Sequence, residues 1–214
     1  MDNHYQFTWD TFSRCEKTWP TIFNLIKWDP KRKCQIVEIG SFEGRATVWI
    51  LDNLIQNQDS KVYCIDPFTA TGRKEKEVVR QMQLDWGQIF QRFQSNISLT
   101  GKAGQVELIR EQSSVALSSL IGAAYGQVDF VYLDGSHPAP DALSDLIFSY
   151  HLLRDGGLMI CDDYSWTLEV RTEIDTLSNP KIAIDAFSTI FRRSLVLITD
   201  LPLYQMAFIK QTDE

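Results

Sequence analysis

The sequence predicts an α/β fold: a doubly wound, mostly parallel seven-stranded sheet that ends in a C-terminal antiparallel hairpin. Three observations carry this. Five short apolar runs, "QIVEI" (35–39), "KVYCID" (61–66), "QVELIR" (105–110), "VDFVYLD" (128–134) and "GLMICDD" (157–163), are nearly continuous rather than alternating, as parallel strands buried on both faces read. Helical patterns at roughly 44–57, 73–99, 113–122 and 139–154 separate them, which gives right-handed βαβ units. The end of the chain breaks the alternation. "RRSLVLITD" (192–200) and "LYQMAFIK" (203–210) are two strand-like runs joined by little more than Leu201 and Pro202, and a short connection joins antiparallel neighbours.

Residues 1–30 read as one or two helices outside the sheet, and 31–214 as the main domain. Trp9, Phe12, Trp19, Phe23 and Trp28 make the leading segment too aromatic to stand unpacked. Along the second helical pattern, Met82, Trp86, Ile89, Phe90 and Phe93 recur at helical spacing and read as core. Asp141 and Asp145, one turn apart, read as a solvated face, and His4 and His151 as bland positions.

Composition excludes some partners. The 214 residues are 44% hydrophobic and carry a net charge of −7, so non-specific nucleic-acid binding, which needs clustered Lys and Arg, is disfavoured. The short cluster Lys31-Arg32-Lys33 reads as a solvated turn. No run approaches the roughly 20 apolar residues of a membrane span, and "MDNHYQFTWD" does not read as a signal peptide. Cys15, Cys34, Cys64 and Cys161 show no CxxC pair or zinc-like spacing. Buried free thiols in a reducing cytoplasm are the expectation.

The chemistry gathers at the carboxyl ends of the strands, where ligands of doubly wound sheets bind. After "QIVEI" comes Gly40-Ser-Phe-Glu-Gly44, with Glu38 at the strand end. A dinucleotide fold would show G-x-G-x-x-G with a pyrophosphate on the helix N-terminus. This loop is G-x-x-x-G preceded by an acid, which repels phosphate and attracts an ammonium group. Asp66 ends the next strand, where a carboxylate can accept from both ribose hydroxyls. An amine, a ribose and no phosphate fit S-adenosylmethionine. The plain alternative is that both acids are solvated strand ends. Asp134 ends the fourth strand, and Asp162 with Asp163 ends the fifth. Three carboxylates on adjacent strand ends repel one another, and Mg²⁺ or a similar hard divalent cation would relieve that. The alternative is that Asp134 serves the cofactor and Asp163 caps a helix. His137, three residues after Asp134, is the candidate general base.

With Glu38-Ile-Gly40 and Gly44, Asp66, "REQS" (110–113), "YLDGSH" (132–137) and the terminal hairpin, the chain resembles the class I S-adenosylmethionine-dependent methyltransferases over about residues 35–210. The three aspartates are similar to the metal ligands of the small-molecule O-methyltransferases of the catechol type. Asp in place of their Asn is closer to the cephalosporin-hydroxylase-like and macrocin-type enzymes, and His137 stands where the catechol enzymes have Lys. The resemblance implies a Rossmann-like methyltransferase fold and O-methylation of a small molecule. Glu38, Gly40, Ser41, Gly44, Asp66, Pro67, Gln112, Ser113 and Asp134 are its expected cofactor contacts, with Gln112 or Ser113 at the adenine. Asp134, Asp162 and Asp163 would hold a metal, His137 would be the base, and Phe68, Tyr164 and Trp166 would be substrate walls. The expected partner is a hydroxyl-bearing acceptor, with no nucleic acid and no membrane, and a homodimer is left open. Two other classes stay open: a nicotinamide-dependent oxidoreductase and a non-catalytic nucleoside-binding protein.

Overall fold

Helix α1 (Cys15–Leu25) leads into β1 (Gln35–Ile39), α2 (Arg45–Leu54), β2 (Lys61–Ile65) and α3 (Trp86–Leu99). After a 3-10 turn at Ala103–Gln105 come β3 (Val106–Ile109), α4 (Ser113–Ala124), β4 (Val128–Leu133), α5 (Ala139–Leu152) and β5 (Leu153–Cys161). A second 3-10 turn, Thr176–Ser178, precedes α6 (Lys181–Ile190), β6 (Leu195–Ile198) and β7 (Met206–Lys210). This computed structural model describes residues 5–70, 84–166, 176–199 and 201–211. His4, Met82 and residues 73–83 of the expected second helix lie outside them.

The strand order is β3-β2-β1-β4-β5-β7-β6. The pairs β1–β4, β2–β3 and β4–β5 are parallel, and β7 runs antiparallel to both β5 and β6. The predicted doubly wound sheet with its antiparallel end is therefore present. The terminal connection is longer than the sequence suggested: β6 ends at Ile198 and β7 begins at Met206. Strand β5 starts at Leu153, before the expected Gly157, because a register shift lets Leu153 pair with Val128 while Leu158 pairs with Phe130. Helix α6 was not foreseen; it buries Ala183, Ile184 and Phe187.

The chain divides into two compact units: residues up to Cys34 with Ser41–Gln112, and Gln35–Gly40 with the chain from Ser113 onward. In the first, Phe12, Trp19 and Phe23 pack in the core, around one helix rather than two, while Trp9 stays 41% exposed. Trp19 is fully buried, edge-on to Phe12 at 4.8 Å and to Trp49 of α2 at 5.2 Å. Trp28 donates its indole N–H to the Leu54 carbonyl at 3.0 Å, closing the end of α2. Glu43, 2% exposed, accepts from Arg92 at 2.6 Å and from the Thr8 amide at 2.6 Å. Asn96 donates to the Glu43 and Gln6 carbonyls, both at 2.9 Å. Residues 6–8 are thereby fastened to the glycine loop and α3.

In the second unit every residue of β4 is buried. Helix α5 turns Ala142, Leu146 and Leu152 inward, and Phe187 of α6 lies against Phe191 and Phe208. Lys210 donates to the carbonyls of Tyr150 and Leu153 at 2.9 and 2.7 Å, satisfying the open end of α5. All four cysteines are free and buried, as expected.

Candidate functional site

The turn out of β1 is shaped by what it must clear. Gly40 has φ +84°, and a Cβ there would sit 1.9 Å from the carbonyl oxygen of Asp134. The Asp134 amide in turn donates to the Ile39 carbonyl at 2.9 Å. Only glycine combines that left-handed backbone with so close an approach. Gly44, at φ +81°, opens α2, where a Cβ would meet Phe93 at 3.0 Å.

Asp66, just past β2, is 7% exposed. Its Oδ2 accepts from the amides of Ser41 (3.0 Å) and Phe42 (2.9 Å), and Oδ1 from that of Phe68 (2.7 Å). Burial raises its pKa, while these three N–H groups and the Arg110 charge work against the rise. The residue read as a ribose acceptor therefore first clamps the loop, using three of a carboxylate's roughly four acceptor positions. Ser41 is buried, with its amide on Asp66, and Pro67 is half-buried between Asp66 and Phe68. Phe68 is not a substrate wall: it is 4% exposed, with its ring against Phe90 at 4.9 Å and Phe93 at 5.4 Å. In the second unit, Glu38 is fully buried at a position paired with Tyr132. Gln112 is exposed, and half-buried Ser113 begins α4.

The loops after β4 and β5 carry a connected polar cluster. The Tyr132 hydroxyl reaches Asp134 Oδ2 at 3.1 Å and donates a short bond to Asp162 Oδ2, which also accepts from Gln205 at 3.0 Å. Burial, then the charges of Asp162, Asp163 and Glu38, holds the Asp134 carboxyl well above its usual range, against the pull of the Tyr132 bond. Asp162 is raised too, chiefly by burial. A phenol has one proton to give. Asp163 has φ +58°, uncommon for a residue other than glycine. It meets His137 Nε2 at 2.7 Å, and the Trp166 ring stacks on the imidazole, 4.1 Å away and tilted by 14°.

The expected metal ligands belong to this same cluster. Among the described residues, no group of three His, Cys, Asp or Glu side chains is arranged to hold a metal ion. Asp134, Asp162 and Asp163 are neighbours, but Tyr132, Gln205 and His137 occupy the oxygens that were to converge. Tyr164, expected as a substrate wall, stands beside α6. Its hydroxyl donates to Asp185 at 2.7 Å and accepts from Lys181 at 3.0 Å, so it anchors α6.

Asp134, His137, Asp145, Asp162 and Asp163, with Ile184, line a small cleft of about 30 Å³ that is partly open to solvent. The solvated face expected of Asp141 and Asp145 is only half present. Asp141 is exposed and accepts from Ser136 at 2.8 Å, but Asp145 is 3% exposed. Burial pushes Asp145 up to about 7, opposed by a side-chain bond from Ser113 and reinforced by Asp141. Since the folded pKa lies above the unfolded one, its contribution is fully present below about pH 4 and is lost as pH rises through about 7. Asp145→Asn should therefore gain on the wild type by on the order of 2–4 kcal/mol between pH 5 and 8. Urea midpoints across that range check it, and parallel curves for the two proteins would refute it.

A mostly parallel sheet of this strand order, with a glycine turn after β1 and acids at the ends of β1, β2, β4 and β5, defines the class I methyltransferase architecture. The profile of a family described as "Methyltransferase domain" matches residues 37–164, more than half of the chain, and the chain belongs to that family. It is similar to the O-methyltransferase TomG of Streptomyces achromogenes, involved in tomaymycin synthesis and solved with S-adenosylmethionine. The TM-score is 0.63 at 15% identity, covering 95% of this chain and 82% of that one. It is similar too to an O-methyltransferase of Bacillus cereus solved with S-adenosylhomocysteine, with a TM-score of 0.60 at 18% identity over 95% of this chain and 84% of that one. An uncharacterized protein, R132, of Acanthamoeba polyphaga mimivirus is 23% identical over 159 residues. That match covers 72% of this chain and 63% of the relative's length. Among the described residues no helix is long and apolar enough to cross a membrane.

Proposed function

We propose that the protein transfers a methyl group from S-adenosylmethionine to a hydroxyl oxygen of a small molecule. The observation that carries this is His137, locked by Asp163 and Trp166 in an acidic cleft of a chain from a methyltransferase family. The chemistry of the residues suits this cofactor. Glu38 is a wholly buried carboxylate beyond the reach of water, fit for an ammonium group and hostile to a phosphate. Asp66 keeps one acceptor position for a ribose hydroxyl. Gln112 and Ser113 are assigned to the adenine edge, and Gly40 to the close approach of the loop backbone.

When bound, the cofactor supplies an electrophilic methyl on a cationic sulfur and leaves as a neutral thioether. The side chains prepare the oxygen that receives it. Asp163 takes the Nε2–H of His137, leaving the Nδ1 lone pair to accept the acceptor's hydroxyl proton as the new O–C bond forms. The imidazolium that results faces the Asp163 carboxylate and the Trp166 ring, and both stabilise positive charge. Beyond this proton transfer, the chain's contribution is to hold the reactants in line.

The donor set of Asp134, Asp162 and Asp163, all hard oxygens, also suits Mg²⁺. These residues would hold it, and its charge would lower the pKa of the acceptor hydroxyl. Binding has to displace the bonds from Tyr132, Gln205 and His137. Mg²⁺ is accordingly expected to raise the activity of EDTA-stripped enzyme. Turnover that is equal in excess chelator and in Mg²⁺ would remove the cation from the reaction.

S-adenosylhomocysteine should raise the melting temperature by mass action, whereas NADH should not. Glu38→Gln should weaken S-adenosylhomocysteine by about 1–3 kcal/mol in calorimetry, the scale of a lost charged hydrogen bond. Binding of NADH in preference, or wild-type affinity in Glu38→Gln, would overturn the reading.

A further inference from the structure

Glu43 lies in the glycine loop, 2% exposed, and its carboxylate is held by three hydrogen bonds. The Thr8 amide donates to Oε2 at 2.6 Å, the Thr8 hydroxyl to Oε1 at 2.5 Å, and Arg92 Nε to Oε1 at 2.6 Å. Two of the three donors belong to residues 5–8, a surface segment in which Gln6 and Thr8 are themselves exposed. Its other anchors are polar too. The Tyr5 hydroxyl donates to Asp52 of α2 at 2.9 Å. Gln6 and the buried Asn96 of α3 exchange two bonds, at 2.8 and 2.9 Å. A segment held by hydrogen bonds near solvent, with little apolar burial, opens locally well before a domain unfolds.

That opening has a consequence for the loop. If Thr8 leaves, Glu43 loses two of its three donors while still buried, and a buried carboxylate short of partners is costly. The loop relieves the cost by turning Glu43 toward water. Its neighbours cannot then stay in place. The amides of Ser41 and Phe42 both donate to Asp66 Oδ2, at 3.0 and 2.9 Å. Phe42 is held at φ +47°, a conformation that a residue with a side chain keeps only where its surroundings impose it. Asp66 grips the loop on one side and Thr8 with Arg92 on the other.

Resting on the cofactor reading above, we propose that Glu43 is a positioning residue through which residues 5–8 act as a strap: the docked strap sets the arrangement of Ser41, Phe42 and Asp66 that receives the cofactor, so strap docking and cofactor binding favour each other. The coupling is reciprocal. Whatever factor the docked strap adds to cofactor affinity, the bound cofactor adds to strap docking.

Amide hydrogen exchange and calorimetry on the full chain test this. S-adenosylhomocysteine should slow exchange at the Thr8 and Gln6 amides of the wild type by about fivefold or more. The Lys31 amide, bonded to Asp29 in an exposed turn, is the control and should not respond. Glu43→Ala should weaken S-adenosylhomocysteine by about five- to fiftyfold. It should also abolish the ligand's effect at Gln6, although Gln6 keeps its bond to Asn96. Glu43→Gln should recover part of the affinity, because its amide oxygen still accepts from Thr8. Thr8→Val, which removes the hydroxyl alone, should weaken binding less, and adding it to Glu43→Ala should change nothing further, the mark of two residues acting as one. If Glu43→Ala is too unstable to handle, wild-type exchange and Thr8→Val give the same answer. A merely structural Glu43 would lower the melting temperature, leave the Kd within about twofold of wild type, and leave exchange at Thr8 and Gln6 equal with and without ligand. That result overturns the proposal. Wild-type protein that does not bind S-adenosylhomocysteine would instead defeat the cofactor reading, and this inference with it.

Discussion

Gly40→Val is expected to lose about 2–6 kcal/mol of stability, and to bind S-adenosylhomocysteine weakly if it folds. Two costs add. The backbone at φ +84° is strained for any side chain with a Cβ. That Cβ would also lie 1.9 Å from the Asp134 carbonyl oxygen and 2.6 Å from its carbon. A flexible side chain could move aside, but this is main chain, held in register where Ile39 pairs with Leu133. Relief has to come from a shift of the β1–β4 pairing or of the loop, and either moves Glu38 or Asp134. Gly44→Ala is the internal control. Its φ is +81°, but the Cβ would meet the Phe93 ring at 3.0 Å, and a ring can give way. Its loss should be smaller. Urea denaturation with calorimetry on both variants checks the order. Gly40→Val with a wild-type midpoint, or Gly44→Ala as the worse of the two, would refute it.

That result also bears on what a sequence reveals. The motif Glu38-x-Gly40-x-x-x-Gly44 announced a close approach, and there is one. The nearest partner is the protein's own β4 end, a long-range contact that no local pattern encodes. The strands were legible because runs buried on both faces are continuously apolar, and β1 begins and ends where the sequence placed it. The start of β5 was hidden because "RDGG" reads as a turn, yet it pairs through a register shift. Helix α6 was hidden because its apolar stripe is blurred by Ile182 and Ile190, which are 44% and 73% exposed. Asp145 was misread for a related reason. It holds a core position on α5, and hydrophobic patterning assigns acids to water. Local rules of this kind fail at sites of chemistry. Tyr132 carried a usable signal: it lies two residues before Asp134, so strand alternation puts both side chains on one face. Its hydroxyl now joins Asp134 to Asp162.

His137→Ala is expected to lower turnover by on the order of 10²–10⁴, the contribution of a general base, while S-adenosylhomocysteine binds as before. The geometry explains why the loss should fall on kcat. The imidazole is held from both sides, by Asp163 at 2.7 Å and by Trp166 stacked at 4.1 Å. Its partners should then show a graded series. Asp163→Asn keeps a hydrogen-bonding group but removes the charge that stabilises an imidazolium, and it also relaxes the φ +58° position little, since Asn tolerates that region. It should cost less than His137→Ala and more than Trp166→Leu, which removes only the stacking face. Release of S-adenosylhomocysteine across a panel of sugars, phenols and hydroxylated natural products supplies the turnover measurement. A further separation comes from pH. If His137 accepts the proton, raising the pH should not rescue His137→Asn on an aliphatic hydroxyl, but it should partly rescue it on an acidic phenol, which ionises without help. Turnover in His137→Ala within about threefold of wild type on every acceptor would strip the residue of its role. The Asp163–Trp166 arrangement would then be a brace for the loop after β4.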